Sequence, residues 1–304
     1  MAGERIGFIG VGAMGMPMAR RLVAQGHPVA FTSRRPDAIE RLAADGATPL
    51  PTPLIVADQS DVVMSCLPAD DELFQVFLGP EGVVEHLHPG ATIVDFSTAS
   101  PMIMQRIDAE ARARQIRVVD APVSGGVFGA EHGTLTIMAG CDAAVFDEVR
   151  PLLEVLGDRV YRVGDVGLGK VFKLVNNLLN GTALVLAGEA LSLAAKAGAD
   201  LALLGEVVGS SSGSSAAWTD AVPKLLRDAD SPVGFKLELM RKDLGLAAAL
   251  GADLGTPMAL TTLALQFYTA ACARGLGKQG PHEVARLVAR LADADLTAGA
   301  ERAG

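Results

Sequence analysis

The sequence predicts two domains: an α/β domain built on a doubly wound, mostly parallel sheet, and an all-α domain after it. Short apolar runs rich in β-branched residues alternate with helix-like segments through the first half of the chain, as in proteins with parallel sheets. A glycine-rich turn follows the first of these runs. After Gly164 the strand signals disappear and Ala and Leu dominate, so we place the domain boundary between residues 164 and 165.

The predicted strands of the first half are short and apolar enough to be buried on both faces. They comprise residues 6–10, 29–33, 62–66, 92–95 and 117–120, with later candidates at 134–140 and 159–163. Helices are predicted over residues 13–25, where Pro17 falls in the first turn, and over residues 36–45.

The second half reads as helical. One long helix is predicted over residues 169–197, although Gly181 and Gly188 weaken the helical signal. Residues 209–215 contain only Gly and Ser, which predicts a loop or a helix start. Residues 254–273 carry no charge, but Pro257 and several polar residues interrupt them. They therefore predict a buried helix or a subunit contact rather than a membrane span.

The charge balance and the cysteines argue against several classes of partner. The 304 residues carry a net charge of −9 and contain no basic run, so a nucleic acid partner is not expected. Cys66, Cys141 and Cys272 are far apart and lack metal-ligand spacing, which predicts free thiols in a reducing compartment and no metal site. No leader sequence is recognisable. We expect a cytoplasmic protein without membrane attachment.

The glycine-rich turn has the spacing of a dinucleotide-binding loop. It consists of Gly10, Val11, Gly12, Ala13, Met14 and Gly15, between a predicted strand and a predicted helix. In such a loop Gly10 forms the tight turn, Gly12 lets the backbone approach a pyrophosphate, and Gly15 lets helix and strand pack closely. The helix N-terminus then offers N–H groups and a positive dipole to the phosphates. An ordinary strand–turn–helix is the alternative.

The end of the second predicted strand bears on the choice of cofactor. An acidic residue at this position would bind the ribose hydroxyls of NAD. Here Ser33, Arg34 and Arg35 follow the strand. A guanidinium can pair with a 2′-phosphate, so the sequence favours NADP. Asp37 lies just beyond and keeps NAD open, and two solvated surface arginines are the remaining alternative.

A polar stripe interrupts the long apolar helix. Lys173, Asn176, Asn177 and Asn180 follow helical spacing and share one face. Three Asn in five residues form helix poorly, so other interactions must compensate. One interpretation is a solvated or backbone-satisfying stripe. The other is a reaction site in which Lys173, with its pKa lowered by burial, acts as a general acid and Asn177 orients it or the substrate oxygen.

A second group of small polar residues follows the strand that ends at Asp120. Ser124, Gly125 and Gly126 would lie at the carboxyl edge of the sheet, where ligands bind in such folds. The Ser124 hydroxyl and the two glycine N–H groups could hold a carboxylate. A bare turn is the alternative interpretation.

Together these segments resemble the β-hydroxyacid dehydrogenases, the family of 3-hydroxyisobutyrate dehydrogenase, tartronate semialdehyde reductase and the glyoxylate/succinic semialdehyde reductases. Residues 7–19 are similar to its cofactor signature, 120–126 to its substrate motif and 167–177 to its catalytic motif. Three further segments are similar to family motifs, and they are Leu67-Pro68, Asp95-Phe96-Ser97-Thr98 and Lys242-Asp243-Leu244. The resemblance extends over nearly the whole chain.

The resemblance implies a role for individual residues. Lys173 is the implied acid/base and Asn177 its partner. The implied substrate-binding residues are Ser124, Gly125, Gly126 and Thr98. The implied cofactor-binding residues are Gly10, Val11, Gly12, Ala13, Met14, Gly15, Ser33, Arg34, Arg35, Leu67, Pro68, Thr98 and Lys242. Phe235 is implied beside the nicotinamide, and Trp218 is expected either to line the pocket or to belong to the core.

The resemblance also implies a fold and an activity. It implies an NADP-binding Rossmann domain over residues 1–164, a long interdomain helix, and an all-α domain over residues 165–304 that holds the substrate pocket and forms a homodimer or homotetramer. The implied reaction is reversible hydride transfer between NADP(H) and a small β-hydroxyacid/semialdehyde pair of the 3-hydroxyisobutyrate, tartronate or succinic semialdehyde, or glyoxylate class.

Two alternatives to this activity stay open. One is reduction of an imine or another carbonyl on the same scaffold, and the other is a non-catalytic dinucleotide-binding module. The cofactor also stays open to NAD, because Ser33 and Arg35 replace the Asn and Thr that flank the arginine in many NADP-using members that this chain resembles.

Overall fold

The computed structural model describes residues 4–227 and 233–296. The chain forms two compact units, Met1–Lys173 and Leu174–Gly304. The predicted boundary at residue 164 precedes the long helix, whereas the first unit includes the first turns of that helix. Each unit has its own hydrophobic core.

The first unit contains a nine-stranded sheet within its described residues. Its strands are β1 (Ile6–Ile9), β2 (Val29–Thr32), β3 (Thr48–Pro49), β4 (Val62–Ser65), β5 (Thr92–Asp95), β6 (Arg117–Asp120), β7 (Val123–Ser124), β8 (Thr136–Gly140) and β9 (Arg159–Gly164). The order is β3-β2-β1-β4-β5-β6-β8-β7, and β9 pairs with β8. The first six strands are parallel and have the order of a Rossmann fold. The antiparallel partners of β8 are β6 and β7.

Helices lie on both faces of this sheet. They are α1 (Gly15–Ala24), α2 (Pro36–Ala44), α3 (Pro53–Asp58), α4 (Asp70–Leu78), α5 (Val83–His86), α6 (Pro101–Arg112), α7 (Gly126–His132) and α8 (Ala143–Leu156). Side chains alternate between the two faces because strands have a period of two. Met64 and Val94 therefore join one core, whereas Val63 and Ile93 join the other. Both faces are buried, which confirms the doubly wound α/β prediction.

The parallel strands end in register at one edge of the sheet. Pairing aligns Thr32 with Ile9, Ile9 with Ser65, Ser65 with Asp95, and Asp95 with Asp120. Each predicted cofactor or substrate segment of this unit follows one of these five residues in sequence. The strand order reverses between β1 and β4, where ligands bind in open α/β sheets.

The second part of the chain is helical. Its helices are α9 (Leu168–Lys196), α10 (Leu201–Gly209), α11 (Ala216–Leu226), α12 (Leu237–Asp253), α13 (Ala259–Ala273) and α14 (Glu283–Leu291), with a 3-10 turn at Leu276–Lys278. The all-α prediction is confirmed, and α9 closely matches the predicted long helix. By length and composition alone α9 could also span a membrane, and 39% of its apolar window is buried.

Close packing explains the two glycines of α9. A Cβ at Gly181 would lie 2.9 Å from the Met240 sulfur, and one at Gly188 would lie 2.8 Å from the Cα of Ala285. The buried Tyr268 hydroxyl also donates a 3.1 Å hydrogen bond to the Gly181 carbonyl. These contacts with α12, α13 and α14 offset the weak helical propensity of glycine.

Candidate active site

The glycine loop between β1 and α1 has the form that a phosphate needs. Gly10 has a φ of +95°, and a Cβ there would collide with the Cys66 carbonyl. A Cβ at Gly15 would collide with the Gly10 carbonyl, whereas one at Gly12 would meet no described atom within 4 Å. Gly12 and Ala13 are exposed.

Among the described residues, no side-chain cap occupies the N-terminus of α1, in contrast to α3 and α6. Thr52 Oγ1 accepts a hydrogen bond from the Ile55 N–H, and Ser100 Oγ accepts one from the Ile103 N–H. Met14 makes no such bond within the described part of the chain. An open loop above an uncapped helix end therefore fits a pyrophosphate.

The two arginines after β2 differ in their surroundings. Arg35 donates to Asp37 through Nη2 at 2.8 Å and through Nε at 3.3 Å, and this contact lowers the pKa of Asp37. The Arg35 N–H also donates to Ser33 Oγ at 3.2 Å. Arg34 is exposed and has no ion pair within residues 4–227 and 233–296. Of the two guanidiniums, that of Arg34 is thus available to an anion.

The segments that follow β4 and β5 are joined by hydrogen bonds. Ser97 Oγ accepts the Leu67 N–H at 2.8 Å and donates to Asp95 Oδ1 at 2.6 Å. Ser65 Oγ donates to the same Asp95 oxygen at 2.6 Å. The predicted cofactor residues Leu67 and Pro68 are therefore tied to the strand end that leads into Thr98.

Asp120, at the end of β6, holds the start of α9. Its Oδ1 accepts the Gly167 N–H and its Oδ2 accepts the Lys170 N–H, both at 2.8 Å. Burial raises the pKa of Asp120 to about 6, against the opposing effects of Lys170 and these two N–H groups. A Cβ on Gly169 would lie 2.5 Å from the Asp120 carbonyl oxygen. The second glycine of the Gly167-x-Gly169 motif is thus required by close packing.

The polar stripe of α9 is buried at the two residues that the sequence predicts to act in catalysis. Lys173 is 8% exposed and Asn177, one helical turn later, is 3% exposed. Asn177 Nδ2 donates to Asp243 Oδ2 at 2.6 Å, and Asn177 Oδ1 accepts from Asn176 Nδ2 at 3.0 Å. The interpretation of the stripe as solvent-facing is therefore wrong for Lys173 and Asn177. The hydrogen bond to Asp243 offsets part of the poor helix-forming tendency of the asparagines.

Two adjacent residues of α12, Lys242 and Asp243, carry opposite charges. Lys242 Nζ lies 3.1 Å from Asp243 Oδ1, and the Asp243 side chain is 1% exposed. In the family resemblance Asp243 is only the neighbour of Lys242, and no role is implied for it. In the structure it accepts a hydrogen bond from Asn177 and forms an ion pair with Lys242, and no local sequence pattern points to this pairing.

The remaining predicted residues occupy defined places. Ser124 ends β7 and is half-buried, and Gly125 and Gly126 have φ of +130° and +63° where α7 begins. Their carboxylate-binding role stays a prediction. Trp218 is buried in the helical core and its Nε1 donates to the Gly205 carbonyl at 3.2 Å, as expected of a core residue. Phe235 packs at the edge of the same core.

Two family models and a full-length relative match the chain. The NAD binding domain of 6-phosphogluconate dehydrogenase matches residues 5–164. The NAD-binding domain of NADP-dependent 3-hydroxyisobutyrate dehydrogenase matches residues 167–288. A 2-(hydroxymethyl)glutarate dehydrogenase of Eubacterium barkeri is 38% identical over 97% of this chain and 98% of its own length. The chain belongs to the β-hydroxyacid dehydrogenase family. It is an NAD(P)-dependent oxidoreductase that acts on CH–OH groups.

Other β-hydroxyacid dehydrogenases agree along nearly the whole length. An NAD-dependent L-serine dehydrogenase of Pseudomonas aeruginosa is 36% identical over 91% of this chain and 93% of its own. A Mycobacterium tuberculosis 3-hydroxyisobutyrate dehydrogenase, solved with L-serine, has a TM-score of 0.85 and 29% identity over 94% of this chain and 99% of its own. The family resemblance and the two-part fold are confirmed. These proteins differ in substrate, so the family alone does not select one.

Proposed function

We propose that the protein catalyses reversible hydride transfer between NADP(H) and a short β-hydroxyacid/semialdehyde pair. The observation that carries this proposal is the buried pair Lys173 and Asn177 on α9, with the Asn177 amide held by Asp243. A bound nicotinamide would supply the hydride acceptor for oxidation of the hydroxyl-bearing carbon and the hydride donor for reduction of the aldehyde carbon. Lys173 takes the hydroxyl proton in oxidation and returns it to the oxygen in reduction, as a general base and acid.

The cofactor is proposed to bind along the aligned strand ends. Gly10, Val11, Gly12, Ala13, Met14 and Gly15 would hold the pyrophosphate with backbone N–H groups. Leu67, Pro68, Thr98 and Lys242 are proposed to contact the cofactor, on the family resemblance. The first three follow β4 and β5, on the opposite side of β1 from β2 and Arg34, so we propose them for the nicotinamide half. Arg34, with Ser33 beside it, would bind the 2′-phosphate. The exposed Arg34 supports NADP over NAD. The second matching family model is named for an NADP-dependent enzyme, whereas the L-serine dehydrogenase relative is NAD-dependent.

The substrate is proposed to be a small carboxylic acid. Its carboxylate would bind to the Ser124 hydroxyl and to the Gly125 and Gly126 N–H groups, and Thr98 is proposed as a further substrate-binding residue. The proposed class contains 3-hydroxyisobutyrate, tartronate semialdehyde, succinic semialdehyde and glyoxylate. The named relatives add 2-(hydroxymethyl)glutarate and L-serine as candidates of the same chemistry.

Steady-state kinetics with matched variants test this function. NADPH and NADH oxidation are measured with the semialdehydes, and NADP and NAD reduction with the hydroxyacids and L-serine. We expect turnover to favour NADP(H) and to fall at least about 1000-fold in Lys173→Ala with the NADPH Kd unchanged. Lys196→Ala, at the exposed end of the same helix, is the control. Undiminished turnover in Lys173→Ala would contradict the assignment, and imine reduction without hydroxyacid turnover would support the alternative reductase.

We further propose a cytoplasmic homodimer or homotetramer. Apolar side chains support a subunit contact, because Leu254 is 69% exposed, Leu260 71% and Leu263 55%, and patches of this kind mark interaction sites. The buried lysines of α9 support a role as a core helix in a protein without membrane attachment. Light scattering should give a multiple of the chain mass for the wild type and a smaller assembly for Leu260→Glu. A monomeric wild type would contradict the proposal.

A further inference from the structure

Lys170 is a buried charge that the catalytic assignment does not use. It is the third residue of α9 and is fully buried. Its Nζ donates to Asp95 Oδ2 at 2.6 Å, to the Ser97 carbonyl at 2.8 Å and to the Asp95 carbonyl at 3.0 Å. The partner residue Asp95 is fully buried as well. This is an ion pair closed off from solvent.

The hydrogen bonds of Lys170 leave it no donor for a substrate. An ammonium group has three N–H donors, and all three have acceptors in the first unit. A general acid or base must lie within hydrogen-bond reach of the reacting oxygen. The Lys170 ammonium is buried and all of its N–H groups already have acceptors, so it does not meet this requirement. Lys170 therefore differs from Lys173, although both lie in the first turns of the same helix.

The acceptors of Lys170 belong to the segments predicted to contact the cofactor. Asp95 holds Ser97 through Oδ1, and Ser97 holds the Leu67 N–H. Thr98 follows Ser97 directly. The Lys170 ammonium thus holds the segment that leads into Thr98 through two carbonyls and a carboxylate. Through Asp95 and Ser97 it also holds the segment that leads into Pro68.

Lys170 is also fixed from its backbone side. Its N–H donates to Asp120, so β5 holds its side chain while β6 holds its main chain. Lys173 lies three residues further along the same helix. The start of α9 is therefore joined to two neighbouring strand ends within the first unit.

We propose that Lys170 is a positioning residue for the proposed hydride transfer, acting through Asp95 and Ser97 on Leu67, Pro68 and Thr98 and through the start of α9 on Lys173. It contacts neither substrate nor cofactor. The inference rests on the proposed function, because the segments that Lys170 holds are those assigned to the nicotinamide half of the cofactor.

Charge-matched variants separate this role from simple stabilisation. Lys170→Met and Asp95→Asn each remove one charge, and each is expected to lower the melting temperature because the remaining buried charge lacks its partner. The double variant removes both charges and is expected to recover much of that loss. Lys196→Met is the control. For each protein we would measure Kd for NADPH, Kd for adenosine 2′,5′-bisphosphate, which carries only the adenine half, and kcat with KM.

The double variant decides the proposal. We expect its NADPH Kd to rise about 10-fold and its kcat to fall roughly 100-fold, the effect of misplaced reacting groups. Its Kd for the bisphosphate should equal that of the wild type. A wild-type Kd for NADPH in the folded double variant would overturn the positioning role. An equal loss of affinity for NADPH and for the bisphosphate would also overturn it. An inactive wild type would contradict the proposed function, while the ratio of the two Kd values would still decide the role of Lys170.

Discussion

Asn177 and Asp243 are joined by a 2.6 Å hydrogen bond between the Asn177 amide nitrogen and Asp243 Oδ2. Both side chains are buried, and they come from α9 and α12 of the second unit. An acceptor-only carboxylate directs the amide nitrogen toward itself, which fixes the opposite orientation of the Asn177 carbonyl oxygen. Asp243 thereby fixes which of the two amide orientations Asn177 adopts.

Removing the Asp243 carboxylate should release this amide. Asp243→Ala leaves the Asn177 N–H without this acceptor and the Lys242 ammonium without this ion-pair partner, so we expect a loss of about 1–3 kcal/mol in the free energy of unfolding and a lower kcat. Urea denaturation and steady-state kinetics measure the two effects. Asp253→Ala, an exposed acid on the same helix, should change neither. Wild-type kcat in Asp243→Ala would show that the orientation of Asn177 does not matter.

Arg34 and Arg35 should contribute unequally to the affinity for NADPH. Arg34→Ala should raise the NADPH Kd roughly 10- to 100-fold, because a charge-assisted hydrogen bond contributes about 1.5–3 kcal/mol. Arg35→Ala should have a much smaller effect, since Asp37 already holds that guanidinium. Fluorescence titration with NADPH, and with NADH as the control ligand, measures this. A larger loss in Arg35→Ala would reverse the assignment.

The pKa of Asp120 should make stability depend on pH in an unusual direction. Its pKa is raised in the folded protein, from an ordinary value of 3.8 to about 6, so the folded state binds this proton more tightly than the unfolded state. The contribution of Asp120 to stability therefore falls as pH rises from about 4 to about 6, by at most roughly 3 kcal/mol, and is constant above that range.

Asp120→Asn isolates this contribution. The variant lacks the titration, so its stability relative to the wild type should improve between pH 4 and pH 6 and stay level above. Urea denaturation at each pH gives the difference, and the infrared carboxyl band that titrates near pH 6 in the wild type should be missing from the variant. A stability difference that is flat from pH 4 to pH 7 would contradict the raised pKa.

Two glycine substitutions should have opposite effects. Gly169→Ala places a methyl group against Asp120, so we expect about 1–3 kcal/mol of destabilisation. Gly245→Ala lies in α12 where a Cβ would meet no described atom within 4 Å, so it should stabilise by about 0.5–1 kcal/mol. Thermal unfolding compares the two. Equal effects would mean that the approach of α9 to β6 is not limited by the size of residue 169.

Local sequence patterns were sufficient for the main strands and for the long helix. The predicted strands 92–95 and 117–120 coincide with β5 and β6, because each is a buried apolar run with a polar residue at its end. The two-residue strands β3 and β7 had no such signal, since their pairing depends on neighbours elsewhere in the sheet. Gly181 and Gly188 count against a helix by propensity, but the close packing that requires them involves residues about 60 to 100 positions away.

The same limit applies to the site. Lys173, Asn177 and the glycine loop were predicted because their signals lie within a single turn or motif. Lys170 has no such local signal, because its partner Asp95 is 75 residues distant and in sequence it is one more lysine on a helix. Arg34 and Arg35 were equivalent in sequence, and Asp37 separates them only through a side-chain contact.

The buried pair of Lys170 and Asp95 has a consequence for divergence among homologues. A substitution at either position alone passes through a protein with a solitary buried charge, which is the costly intermediate. Drift at these two sites should therefore be coupled, with a neutral residue at one accompanied by a compensating change at the other. A lineage that replaced both residues would have changed them almost simultaneously, or would have started from a protein stable enough to tolerate one unpaired buried charge.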